Sequence, residues 1–139
     1  MSERNCITIT TTINTSIEKV WEYWNEPKHI TQWCVASPDW HTPKAINNLE
    51  IGGKFATSMA AKDGSFGFDF SGVYTEVKTN EIIAYTMDDG RTVRILFTPF
   101  ENQIKIIETF EAEKENPIEM QQQGWQNILD SFKKYIENN

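Results

Sequence analysis

Hydrophobic and polar residues alternate from Cys6 to Ile13. Ile7, Ile9, Thr11 and Ile13 fall on one face and Thr8, Thr10 and Thr12 on the other, the pattern of a half-buried strand rich in β-branched residues. The period then lengthens: Ile17, Val20, Trp21 and Trp24 recur at i, i+3, i+4 and i+7, behind a Thr15/Glu18 capping-box pair. Glu26-Pro27 closes that helix, because the residue before proline avoids helical angles, and a second short helical turn is expected from Pro27 to about Trp33. Ser37-Pro38-Asp39 is a turn signal, with Trp40 and His41 beside it.

The middle of the chain returns to period two. Short strands are expected at Lys44 to Leu49, at Lys54 to Ala60 (Phe55, Thr57 and Met59 on one face) and at Phe66 to Val77. In the last of these Phe66, Phe68, Phe70 and Tyr74 share a face, and Gly72 predicts a bulge or sharp bend. Further strands are expected at Glu81 to Met87, at Arg91 to Thr98 (Val93, Ile95 and Phe97 inward, stopped by Pro99) and at Gln103 to Ala112. The hairpin signals between them, Asp63-Gly64, Thr79-Asn80, Asp88-Asp89-Gly90 and Glu101-Asn102, argue for a meander of neighbouring antiparallel strands. The chain ends in a helical pattern from Pro117 to Ile136, with Asn116 as cap, Pro117 at the first helical position and Glu119 three residues after the cap. Met120, Trp125, Ile128, Leu129, Phe132 and Ile136 make its apolar side. At helical rise that rod is about 30 Å long and needs a broad surface to lie on. Strands gathered before a terminal helix read as α+β: a curved antiparallel sheet gripping the helix, with a small-molecule cavity between them.

Bulk properties narrow the field. The 139 residues are expected to form one domain, residues 1–139, and 39 % apolar content with eight Phe and five Trp is a globular composition. The net charge of -7, with no basic run, excludes nucleic acid and an anionic membrane surface as natural partners. No uncharged apolar run reaches the ~18 residues of a membrane span, so no membrane insertion is expected. The Ile/Thr alternation near the N-terminus is not a signal-peptide core. Two cysteines, Cys6 and Cys34, suit a reducing interior better than a disulfide, which places the protein in the cytoplasm.

Several segments together resemble a known family. Val20-Trp21, Pro27 and Trp33, then Gly52-Gly53-Lys54-Phe55, Gly72-x-Tyr74-x-Glu76-Val77 and Gly124-Trp125, in this order and spacing, resemble the Hsp90 ATPase activator homologue family of the START-like, Bet v 1-like helix-grip superfamily. The resemblance implies seven antiparallel strands around a long C-terminal helix, two short helices after the first strand, and an internal hydrophobic cavity. It does not imply one activity, since relatives include lipid and polyketide binders, cyclases and co-chaperone domains, and fold does not decide function. No stretch here identifies a chaperone-binding surface.

With that resemblance, Trp33, Trp40, Phe55, Met59, Phe68, Phe70, Tyr74, Phe97, Trp125 and Leu129 become candidates to line the cavity, aromatic and Met side chains being suited to flat hydrophobic guests. Gly124 either makes room for a guest beside Trp125 or lets helix and sheet approach closely; the second reading is favoured. Glu108 shares its strand face with Ile104, Ile106 and Phe110. Facing a cavity it would carry a raised pKa and bond a ligand hydroxyl or act as a general base. A bulge near Ile106-Ile107 that turns it to solvent is the favoured alternative. Asp69 is expected to point outward, and Trp33, Trp40 and His41 to sit at the cavity mouth. His29, Cys34, Asp39 and His41 match no zinc spacing, and Gly52-Gly53 is too short a phosphate loop, so no metal and no cofactor are expected. The expected function is binding of a small hydrophobic or aromatic molecule. A cyclase or dehydratase on a polyketide-like substrate and a chaperone-interaction module are the alternatives, with monomer and homodimer both open.

Overall fold

The structure, a computed structural model, describes residues 5–139; the first four residues of the expected domain lie outside the described residues. Among the described residues the chain forms β1 (Cys6–Ile13), α1 (Ile17–Asn25), α2 (Pro27–Trp33), β2 (Trp40–Asn47), β3 (Lys54–Ala61), β4 (Gly67–Lys78), β5 (Ile82–Met87), β6 (Thr92–Phe100), β7 (Gln103–Glu111) and α3 (Ile118–Glu137). The seven strands make one antiparallel sheet in the order β1-β7-β6-β5-β4-β3-β2. The hairpins expected from the turn residues account for the run from β3 to β7. The first strand crosses to the far edge and pairs with the last, so α1 and α2 carry the chain from one edge of the sheet to the other.

The inward faces follow the alternation. Ile7, Ile9 and Ile13 of β1, Ile83 and Tyr85 of β5, Val93, Ile95 and Phe97 of β6, and Ile104, Ile106 and Phe110 of β7 are all buried in one core with Leu129, Phe132 and Ile136 of α3. The edge of β1 is not left open. Gln126 Nε2 donates to the Thr10 carbonyl (3.2 Å) and Lys133 Nζ to the Thr12 carbonyl (2.6 Å), while the Asn14 amide donates to Glu137 Oε2 (3.1 Å). Three polar side chains of α3 therefore occupy backbone groups that would otherwise template pairing with another strand.

Several local expectations are corrected. The cap of α1 is Ser16, whose Oγ accepts from the Lys19 amide (3.3 Å), one residue after the expected Thr15. Pro117 is the residue before α3 rather than its first, and Asn116 makes no side-chain cap. Gln121 instead ties down the loop that leads into the helix: buried, it accepts from the Glu113 amide and donates to the Glu113 and Asn116 carbonyls. Met120, placed on the apolar side by periodicity, is 61 % exposed. The strand irregularity in β4 lies between Tyr74 and Glu76, not at Gly72. Gly72 answers a different demand: a Cβ there would stand 2.6 Å from the Thr86 carbonyl and 3.1 Å from the Phe55 ring. Pro99 does not stop β6, which continues to Phe100 with Pro99 opposite Ile104. Only the proline's missing N–H is lost, at the hairpin end of the strand where that loss is tolerated. The second strand begins at Trp40, earlier than expected, and absorbs Pro43 in a register shift between His41 and Lys44.

Candidate functional site

Between α3 and the concave face of the sheet lies a cavity of about 460 Å³. Its floor is built strand by strand: Phe55, Thr57 and Met59 from β3, Phe70 and Tyr74 from β4, Ile83 and Tyr85 from β5, Ile95 from β6 and Glu108 from β7. Gly124, Trp125, Ile128 and Leu129 of α3 form the roof, and Trp24, Ile30, Trp33 and Cys34 close the end under α1 and α2. Trp40, Ile46 and Phe68 stand at the rim, where Ile46 and Phe68 are about half exposed.

The hollow has identifiable causes. Gly124 removes a side chain from the roof, and a Cβ built there meets nothing within 4 Å. The favoured close-approach reading of this glycine is thus corrected: it opens space rather than letting two elements touch. Trp125 is drawn to one side by stacking flat on Phe110, with ring centroids 3.9 Å apart and planes 8° from parallel. Phe70 meets Trp125 edge-on at 5.8 Å and Tyr85 at 6.1 Å. These edge-to-face contacts brace the rings against one another and hinder them from falling into the gap.

Of the residues put forward from the sequence, Trp33, Trp40, Phe55, Met59, Phe68, Phe70, Tyr74, Glu108, Trp125 and Leu129 line this one cavity. Phe97 does not. It is buried behind Trp24, edge-on to it at 5.6 Å and to Trp21 at 5.4 Å, because α1 covers that end of β6. Alternation identifies its inward face but not which helix lies over it. His41 is exposed and outside the lining, whereas Trp33 is buried deep at the end of α2. His29 bonds Tyr135 Oη through Nδ1 (2.8 Å) and stacks on Tyr23, joining α2 to α3 away from the cavity. Asp69 points outward as expected and accepts from Ser58 Oγ (2.8 Å). Both cysteines are free.

Glu108 faces in, 6 % exposed, and the alternative that turned it to solvent is overturned. Pairing of β7 with β1 and with β6 runs without a register break, setting Ile9 and Ile95 opposite Glu108, so no bulge rotates it outward. Its carboxyl makes no hydrogen bond or ion pair with the described residues, and its oxygens open onto the cavity rather than being sealed in the core. Burial pushes it up from 4.5 to about 8. Tyr85, buried on the same face, is held well above its ordinary value by burial and then by the Glu108 charge. Burial and the same charge push the Cys34 thiol up to about 12, which keeps it a thiol and makes it a poor nucleophile at neutral pH. Glu108, Tyr85 and Cys34 therefore form one electrostatically connected polar end of an otherwise apolar chamber.

A second polar group at the mouth is satisfied internally. Tyr74 Oη donates to Asn47 Oδ1 (2.5 Å), Asn47 Nδ2 to the Asn25 carbonyl (2.8 Å), and Asn25 Nδ2 to the Trp21 carbonyl (2.9 Å). This relay ties β4, β2 and α1 together. It was not visible from spacing, because its members lie on three elements far apart in sequence. Arg91 also reaches the lining; its Nε donates to Asp89 Oδ2 (2.7 Å) and its Nη1 to the Glu111 carbonyl (3.3 Å).

The family model described as "Activator of Hsp90 ATPase homolog 1-like protein" matches residues 14–137. The chain belongs to this family. Among solved structures, it is similar to an AHSA1-like protein from Aeromonas hydrophila, with 45 % identity and a TM-score of 0.91 over 96 % of this chain and 93 % of that one. It is also similar to Chr148 from Cytophaga hutchinsonii, 59 % identical over 96 % of this chain and 92 % of that one, TM-score 0.83. Protein CV1439 from Chromobacterium violaceum, at 20 % identity with TM-score 0.85 over 97 % and 99 % of the two chains, shares the fold. No curated protein matches the sequence. Family membership and the helix-grip architecture agree with the resemblance read from Gly72-x-Tyr74, Gly124-Trp125 and their companions.

Proposed function

We propose that this member of the family binds a small hydrophobic molecule, aromatic or lipid-like, in the chamber under α3, with Glu108 orienting it. The observation that carries the reading is a cavity of about 460 Å³ walled by aromatic and aliphatic side chains and furnished with one unpartnered carboxyl. That volume falls within the few hundred to about 1,000 Å³ usual for small-molecule sites, and a few polar groups in an apolar lining is their usual chemistry. Affinity arises from apolar area removed from water, about 25 cal/mol per Å² before the entropy of association is subtracted. Two free thiols suit a cytoplasmic setting.

The test is native mass spectrometry of gently purified protein, followed by titration with fatty acids, alkylbenzenes and aromatic alcohols. Trp24, Trp33, Trp40 and Trp125 all line the chamber and supply the fluorescence signal. A co-purifying species or saturable quenching supports the reading; no bound species and no response to any class removes it. A second reading, proton-transfer catalysis of the cyclase or dehydratase kind, is favoured by one observation: a carboxyl held near pH 8 inside an apolar site is suited to general acid–base work. Turnover abolished by Glu108→Gln with ligand affinity retained would select it. The chaperone-module alternative has no such support, since the space beneath the helix is not filled.

A further inference from the structure

We propose that the ligand carries an ammonium group, and that Glu108 receives it as an ion-pair partner at the inner end of the chamber. This rests on the binding function just proposed and names the chemistry of the guest. A buried carboxyl is ordinarily matched by a donor or a cation from the protein. Among the described residues Glu108 has neither, and its oxygens face the space a guest would fill.

The groups around it are of three kinds. Ile9 and Ile95 flank it across β1 and β6, and α3 presents Trp125, Ile128 and Leu129, none of them titratable. Tyr85 from β5 and Cys34 after α2 are protonated neighbours that lend no positive charge. Tyr74 from β4 spends its hydroxyl proton on Asn47. Arg91, the cation of the lining, is already engaged by Asp89 and by the Glu111 carbonyl. An ammonium from the ligand would complete this constellation, whereas a carboxylate ligand would keep Glu108 protonated and gain no ion pair with it. The aromatic rings favour the same guest. Trp125, Phe70 and Phe55 surround the chamber with π faces and edges, and cations are attracted to such faces most strongly where water is excluded. The net charge of -7 draws a cationic ligand toward the protein.

Because burial holds the Glu108 carboxyl at about 8, it is mostly protonated when the cavity is empty at neutral pH. Binding an ammonium ionises it: the O–H bond of the acid breaks, the proton passes to solvent, and the carboxylate keeps the electron pair facing N–H⁺. Amine binding therefore releases about one proton at pH 7 and tightens as pH rises toward 9. An alcohol of the same skeleton needs no such release.

The experiment compares 4-phenylbutylamine, 4-phenylbutanol and 4-phenylbutyrate by isothermal titration calorimetry, in buffers of different ionisation enthalpy at pH 7 and pH 9. The expected result is an amine bound about tenfold or more tighter than the alcohol, a charge-assisted bond being about twice as strong as a neutral one, with close to one proton released at pH 7. Glu108→Gln should remove that preference and the proton release, bringing the amine down to the level of the alcohol. Should this variant misfold by circular dichroism, the order of the three probes and the proton count on the parent protein decide. Binding of the alcohol or the butyrate as tightly as the amine, or amine binding without proton release, overturns the proposal and leaves the hydrophobic-cavity function standing. If none of the three binds, the proposal falls, and the broader function is decided by native mass spectrometry and the fatty-acid and alkylbenzene titrations.

Discussion

Replacing Glu108 with glutamine should stabilise the protein, and by an amount that grows with pH in a predictable window. The carboxyl titrates near 4.5 in the unfolded chain and near 8 in the folded one. Below about pH 4.5 both states hold the proton and the residue contributes nothing to the pH dependence. Between the two values the folded state keeps a proton that the unfolded state has lost, so stability falls as pH rises; above about pH 8 both states are ionised and the loss is complete. With 1.36 kcal/mol per unit, the gap between 4.5 and about 8 corresponds to a loss of about 3 kcal/mol at pH 7, approaching 5 kcal/mol at pH 9. Water entering the cavity lowers both figures, because it solvates the ionised form.

Glutamine keeps the shape of the side chain and cannot ionise. The difference in unfolding free energy between Glu108→Gln and the parent isolates this one group, since every other titration is common to both. Urea denaturation followed by tryptophan fluorescence at pH 4.5, 6, 7, 8 and 9 measures it. A difference that rises through this range and levels off above pH 8 is the expected outcome. A flat difference would mean that Glu108 is solvated in the folded protein, and the reasoning about an uncompensated carboxyl would fail with it.

Other substitutions probe the walls of the chamber. Gly124→Ala should raise stability by about 1 kcal/mol, the helix-propensity gain, because the added Cβ meets open space; a loss of stability in a thermal melt would contradict the open roof. Gly124→Leu should leave the fold intact and weaken binding of any hydrophobic probe by occupying its space. Gly72→Ala should cost roughly 1–3 kcal/mol in denaturation experiments, since its Cβ would sit 2.6 Å from the Thr86 carbonyl, a backbone atom with little freedom to yield. Tyr74→Phe should cost about 1 kcal/mol by removing the donor to Asn47, and would be refuted by an unchanged urea midpoint. At pH 8, Ellman's reagent should label exposed Cys6 readily and the half-buried Cys34 far more slowly; equal rates at both thiols would show that Cys34 is not held as a protonated thiol.

The strands, their inward faces and the terminal rod were legible because period two and period 3.6 are imposed by backbone geometry, whatever the tertiary context. Ile104, Ile106, Glu108 and Phe110 share a face in the structure as they do in the pattern. What sequence could not supply was the choice between two consistent outcomes. Strict alternation put Glu108 inward, while the general cost of burying a carboxyl argued for a bulge; the unbroken ladder on both sides of β7 decided it. Gly124 posed the same kind of choice, settled only by where the sheet lies beneath α3. Phe97 failed as a lining candidate because its fate depends on α1, which folds over that end of β6 from the other side of the sequence. The ends of elements were least legible. Ser16 took the cap from Thr15 one residue away, where local sequence offers two hydroxyls of equal chemistry, and Asn116 made no side-chain cap at all.

The cavity and the lone carboxyl explain each other. On β7 an isoleucine at position 108 would continue the series Ile104, Ile106 and Phe110, and would avoid the pH-dependent loss worked out above. A glutamate there lowers stability at neutral pH and adds nothing to packing that an aliphatic side chain would not. In a filled core it would be intolerable without a partner; beside a chamber of about 460 Å³ it is tolerated because whatever enters can satisfy it. The converse also holds. A purely apolar void costs dispersion contacts and gives a guest no orientation. Together with Gly124, which forgoes helix propensity to keep the roof open, Glu108 is a local departure from what the fold alone favours, and both departures face the same space. Two independent concessions of stability meeting in one volume are what a binding site imposes on a scaffold. If Gly124→Ala and Glu108→Gln each stabilise the protein, and each also lowers affinity for the same probe, the two concessions belong to one function; if either stabilises without touching binding, that residue is a feature of the fold and not of the site.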